Sequence, residues 1–299
     1  MLKARRRLKL EEVSVKTILT RTSGYLDVVS THSLQPYRGC SYGRALCGVG
    51  CYVQHNPFIT RRRPWGSFLE VRTNAAERYL RHVQRERAWA HGRNRRFSIF
   101  MSSSTDPFVP QERTYGITAG LLQAMMVQPP DELVMQTHSA TVSDHVGPLR
   151  LLSENCRLRV HLSIEGDRDR LPGLPAPASS VASRMEAAAR LKEAGIFTVI
   201  TVAPLFPLKD PAAFFARCGE VSDALVLDHF VGGDGTTTGS RTRQTRLPPA
   251  MEHVLPGSSR PAYGQQALRW ARSHYPGPVG VGPEGFAGRY VGPEDQNPG

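Results

Sequence analysis

No apolar run in the sequence approaches the ~20 residues that cross a bilayer, so no membrane span is expected. The N-terminal MLKARRRLKLEEV is basic but lacks the apolar stretch of a secretory signal, which makes the cytoplasm the expected compartment. Cysteine is scarce: five in 299 residues, an odd number with three in one short stretch. That distribution argues against the disulfide framework of a secreted domain and for metal or redox chemistry. No GxGxxG follows the first strand, so a dinucleotide-binding fold is unsupported. Acidic residues are also short, 26 against 38 Lys+Arg, for a formal charge of +12. The excess lies in Arg5–Arg7, Arg61–Arg63 and Arg93, Arg95 and Arg96. It favours an anionic partner, nucleic acid first, or else reflects arginines spread over a solvated surface.

What is present is a chain that can bury a full single core. From about residue 97, short apolar runs alternate with helical patterns. FSIFM (97–101), LVMQT (133–137), RLRVHLSI (157–164), FTVITVAPL (197–205) and ALVLDHF (224–230) read as strands. Helices are expected over roughly 113–126, 145–155, 181–195 and 210–219. The segment 181–195 is the clearest, with Ala, Leu and Met on one face, Arg, Glu and Lys on the other, and Gly195 past its end. With one strand just before Cys40, the alternation gives six βα units. Such units form a parallel sheet through right-handed crossovers, and six suit a partial TIM-type barrel better than a closed eight-stranded one. The expected layout is a basic extension at 1–29, the barrel core at 30–230, and a C-terminal region at 231–299. That last region reads as a long loop to 261, a helix over 262–275 and a tail without regular structure from Pro276. Residues 67–90 add a strand and a long basic helix.

The stretch QPYRGCSYGRALCGVGCYVQHN holds Cys40, Cys47 and Cys51. Three thiolates are one short of the shell that closes a structural zinc or iron–sulfur site. Either His55, four residues after Cys51, completes a Cys3His zinc site, or one metal position stays open for a ligand. Cys156 and Cys218 lie beside a strand and on a helix, where packing is the expected role.

PYRGC followed by CGVGCY, directly after a first strand, resembles the cluster loop of radical S-adenosylmethionine enzymes, most like the spore photoproduct lyase-like group. STDPFVPQERTYG (104–116), EVRTN (70–74), THSA (137–140) and VAPLFP (202–207) resemble further elements of that group, in the same order, over residues 30 to 230. The gaps between the cysteines differ. Six and three residues separate them here, where the group has three and two.

The resemblance implies that Cys40, Cys47 and Cys51 hold three irons of a [4Fe–4S] cluster. S-adenosylmethionine would take the fourth iron and be cleaved reductively to a 5′-deoxyadenosyl radical. A one-electron donor of the flavodoxin or ferredoxin type is implied as partner. Ser103, Ser104, Thr105 and Asp106 end the second barrel strand, where the group contacts the cosubstrate. Ser163 and Glu165 stand at the corresponding level of the fourth; Asp228 and His229, read from the residues alone, end the sixth as candidate substrate-side groups, with a satisfied interior histidine as the other reading of His229. The position of the lyase's hydrogen-returning cysteine reads Ser103, and a lysine of the group reads His138. A serine O–H bond is too strong to replace a thiol in hydrogen return, so repair of spore photoproduct is not the expected reaction. The substrate, for which nucleic acid is the candidate, the catalytic residues and the oligomeric state stay open. The alternative from another class is a zinc- or cluster-bearing nucleic-acid-binding protein without radical chemistry.

Overall fold

The structure, a computed structural model, describes residues 8–292. Eleven strands are present among them. They are β1 (Lys9–Val13), β2 (Leu19–Arg21), β3 (His32–Leu34), β4 (Tyr37–Gly39), β5 (Phe68–Arg72), β6 (Ser98–Met101), β7 (Glu132–Thr137), β8 (Arg157–Ser163), β9 (Thr198–Val202), β10 (Ala224–Leu227) and β11 (Val279–Val281).

The main sheet runs β11-β10-β9-β8-β7-β6-β3-β2. Every pair from β3 to β11 is parallel, and β2 alone is antiparallel, on β3. Strands such as β9, buried at every position, show why these runs are continuously apolar: a parallel sheet of this kind is covered on both faces. Helices Ala75–His91, Ile117–Val127, Val146–Ser153, Val181–Glu193, Pro211–Val221 and Pro261–His274 follow one another around its outside, most of them packed on the next. Five of the six expected parallel strands are there; the sixth place is taken by β3, because the strand just before Cys40, β4, pairs antiparallel in another sheet, and the main sheet stays open with β2 and β11 as its edges.

Three further features depart from the sequence expectations. The tail after Pro276 supplies β11 and the short helix Gly282–Phe286, because Val279 and Phe286 are buried against the sheet. The expected loop at 231–261 contains Ser240–Arg243 and Leu247–Val254, the second anchored by buried Leu247 and Met251. The strand at 68–72 joins a separate sheet, β1-β5-β4, so part of the N-terminal extension is paired backbone. Arg5–Arg7 lie outside the described residues.

This small sheet aims the cysteine loop. β4 pairs antiparallel with β5 and runs straight into Cys40. A Cβ on Gly39, at φ +82, would lie 2.4 Å from the Phe68 carbonyl oxygen, so only glycine permits the pairing there.

Candidate functional site

The longer gap between Cys40 and Cys47 is taken up by local structure. A 3-10 turn (Ser41–Arg44) leads into the short helix Leu46–Gly50, which ends at Cys51. The two fold so closely together that a Cβ on Gly48 would sit 2.0 Å from the Tyr42 carbonyl oxygen. The added residues therefore coil inward, and all three cysteines face one cavity of ≈ 690 Å³.

That cavity lies at the C-terminal ends of the parallel strands, the face where α/β sheets place their sites. Gln35 follows β3, Ser102 to Asp106 follow β6, His138 follows β7, Glu165 follows β8, Ala203 and Pro204 follow β9, and Asp228 and His229 follow β10; all line it.

The strand-end residues divide by what they already bond. Asp106 Oδ1 accepts from Phe108 N at 2.9 Å and Thr137 Oγ1 at 2.8 Å, and its Oδ2 accepts from His138 N at 2.7 Å. Its carboxylate thus ties the ends of β6 and β7 together. Ser103 Oγ accepts from Gln35 Nε2 at 2.7 Å. Ser102 Oγ, Thr105 Oγ1 and Gln35 Oε1 are buried with no partner, and Ser102 is held at φ 76, a conformation costly for a non-glycine residue. Ser104 is on the cavity wall; Ser163 is not, because its hydroxyl turns to Gln136 Nε2 at 3.1 Å.

A buried ion network runs beside the cysteines. His138 Nε2 lies 3.1 Å from Glu165 Oε1, and Glu165 Oε2 accepts from Arg184 at 2.8 Å. Burial alone would lower the His138 pKa, but Asp106 and Glu165 raise it to about 9. Burial would raise Glu165, but Arg184 and His138 hold it down to about 2. Arg184 corrects the reading of helix Val181–Glu193: it is 2% exposed, turned inward by Glu165 rather than outward with the other charges.

On the open side of the sheet, Tyr25 from the N-terminal extension donates to Asp228 Oδ2 at 3.3 Å. Burial, with Asp234 adding and Tyr25 opposing, raises Asp228 to about 7. Neither Tyr25 nor Arg184 could be found from sequence, since no local pattern marks a helix arginine or an N-terminal tyrosine as cavity-facing. His138 carried a signal only as a substitution within the THSA element.

The donor set fits a cluster better than a single ion. Burial and mutual proximity push the Cys40 and Cys47 thiols up, and burial takes Cys51 to about 11. Buried together, the three ionise only if a bound cation supplies positive charge. A tetrahedral zinc would draw its sulfurs to within roughly 4 Å of one another. Among the described residues no three His, Cys, Asp or Glu side chains form a ready single-ion site, and His55 is not on the cavity wall. A cubane places each thiolate on a different iron and so holds them further apart. The unpartnered Ser102, Thr105 and Gln35 atoms fit a polar ligand beside it.

The open parallel sheet with its strand-end loops is similar in fold to solved structures. The particular likeness is to spore photoproduct lyase. One match is a double mutant with bound AdoMet and dinucleoside spore photoproduct, at TM-score 0.62 and 16% identity, covering 91% of this chain and 81% of that one. Another is the lyase complexed with dinucleoside spore photoproduct, at TM-score 0.61, 16% identity and the same 91% and 81% coverage. No protein-family model matches the sequence, and no curated protein does. Among the described residues no helix is long and apolar enough to cross a membrane.

Proposed function

We propose that this chain is a radical S-adenosylmethionine enzyme. The observation that carries this reading is the gathering of Cys40, Cys47 and Cys51 on one cavity at the strand ends. Cys40, Cys47 and Cys51 would hold a [4Fe–4S] cluster, which when bound would supply the electron for reductive cleavage of S-adenosylmethionine. The residues of the chain do the rest. Ser102 and Thr105, whose hydroxyls lack partners, offer hydrogen bonds to the cosubstrate together with Ser103 and Ser104. Asp106 acts by fixing the ends of β6 and β7 and Glu165 by anchoring His138, whereas Ser163 supports Gln136 from outside the cavity. Residues 30–230 form the working core, and Tyr25 and the 231–243 segment wall the cavity from the flanks. A one-electron donor of the flavodoxin or ferredoxin type would reduce the cluster, and free thiols suit a reducing cytoplasm.

Anaerobic purification and reconstitution should yield a brown protein with about four irons and four sulfides per chain, the content of one cubane. Reduction with S-adenosylmethionine present should then release 5′-deoxyadenosine. Stoichiometric zinc without sulfide would sink the reading.

Nucleic acid is the proposed class of substrate, on the evidence of one rim of the cavity. Asn56, Ile59 and Trp65 line the wall, and between them Phe58 stands 87% exposed beside Arg61 and Arg62. Glu70 and Glu11 there are outnumbered by Arg38, Arg61, Arg62, Arg63 and Arg72. Arg93, Arg95 and Arg96 instead precede β6, at the opposite end of the sheet. Binding of a single-stranded oligonucleotide should fall steeply with salt. Arg61→Ser with Arg62→Ser should reduce the slope of log K against log salt by about 0.7 per lost phosphate contact. Phe58→Ala should remove about 1–3 kcal/mol of base stacking. Arg95→Ser with Arg96→Ser should change neither. No binding at low salt, or loss at the second pair alone, would contradict the assignment.

A further inference from the structure

Asp228 stands out among the cavity's polar groups because nothing of opposite charge answers it. Tyr25 Oη is the side-chain donor it receives, at 3.3 Å, and among the described residues no Lys, Arg or His pairs with its carboxyl group. The neighbouring groups are spoken for. Asp234 accepts from Thr236 N, Thr236 Oγ1 and Thr242 N, and Arg241 donates to the Asp234 carbonyl at 3.1 Å. His229 Nδ1 accepts from Val231 N. The carboxyl group is held from behind by its own backbone, which bonds to Val202 and Leu205. Gly233 leaves it room: a Cβ there would lie 2.3 Å from Oδ2. This is a built position, and its free face is the cavity.

We propose that Asp228 and Tyr25 form a substrate subsite that takes a cis-amide edge, the adjacent N–H and C=O of a lactam. Burial without a cation shifts a carboxyl group toward its protonated form. In that form it presents an O–H donor and a C=O acceptor side by side. A lactam offers the complementary acceptor and donor in the same plane, and Tyr25 fixes the orientation of the carboxyl group. Arg241 on the same wall opposes a cationic ligand, and Asp234 opposes an anionic one. A neutral edge meets neither objection. Nucleobases and cyclic dipeptides both carry such an edge.

The subsite rests on the proposed function only in taking this cavity as the substrate chamber, and it is testable without turnover. Calorimetric titration of the full chain with uridine and with N3-methyluridine should show binding weakened about tenfold or more by the methyl group, which blocks the donor. Asp228→Asn keeps a neutral donor–acceptor pair and should bind uridine within about threefold of the unchanged chain, whereas Asp228→Leu should lose about tenfold or more. A cyclic dipeptide probe separates the sources. Asp228-dependent binding stronger than uridine's supports a non-nucleobase lactam, and weaker binding supports a base. The proposal is overturned if Asn costs as much as Leu, if N3-methylation has no effect, or if neither probe binds. Should the Leu variant fail to fold by circular dichroism, the Asn variant and the methylated probe still decide. Iron and sulfide content of the same preparations reports on the cluster separately.

Discussion

Alanine at Cys40, Cys47 or Cys51 is expected to strip the protein of its cluster, and with it the release of 5′-deoxyadenosine. Each thiolate would hold a different iron, so no remaining ligand can substitute for a lost one. Loss of an outer-shell partner alone costs about 10–100-fold in metal affinity, and loss of a ligand should exceed that. Cys156→Ala and Cys218→Ala are the controls. Both residues are buried, at 6% and 0% exposure, and neither lines the cavity. Burial pushes the Cys156 thiol up to about 12, that of an inert core group. Their replacement should cost about 1 kcal/mol of stability and leave the brown colour and iron content unchanged. If Cys218→Ala removed the cluster while Cys47→Ala kept it, the ligand set would be wrong.

The second large effect belongs to the Glu165–Arg184 pair. Arg184→Leu should destabilise the fold by about 3–5 kcal/mol, because it leaves a buried carboxylate without its guanidinium. Urea denaturation of the cluster-free chain measures this. Glu165→Gln added to Arg184→Leu should recover part of the loss, since the double change removes the stranded charge. The pH dependence has a definite sign. Glu165 titrates lower in the folded chain than unfolded, so its contribution is present above about pH 4.5 and lost as pH falls toward about 2. The double variant should lose that acid sensitivity. A single variant as stable as the unchanged chain would show that water, not Arg184, compensates Glu165.

Much of the site was legible because its signals are local. The clustering of three cysteines among glycines, the alternation of apolar runs with helical periods, and the polar residues directly after each apolar run are all set by neighbours in sequence. Backbone geometry turns such patterns into strands, crossovers and strand-end loops whatever lies elsewhere. The sequence by itself therefore determined the parallel sheet, the cysteine loop and the placing of 102–106, 138, 165 and 228 at strand ends.

Only the tertiary structure decided what those residues meet. Asp106 reads as a ligand-facing carboxylate until β7 arrives beside it and occupies both its oxygens. Arg184 reads as a surface charge until Glu165, nineteen positions earlier, pulls it inward. Tyr25 is unremarkable until the curl of the sheet carries β10 to it across 203 residues. The two described arginine clusters look alike in sequence, yet one borders the cavity and the other lies before β6. The physical reason is common to all four: ion pairs, buried hydrogen bonds and cavity walls depend on distances between elements, which the crossovers set and no local period encodes.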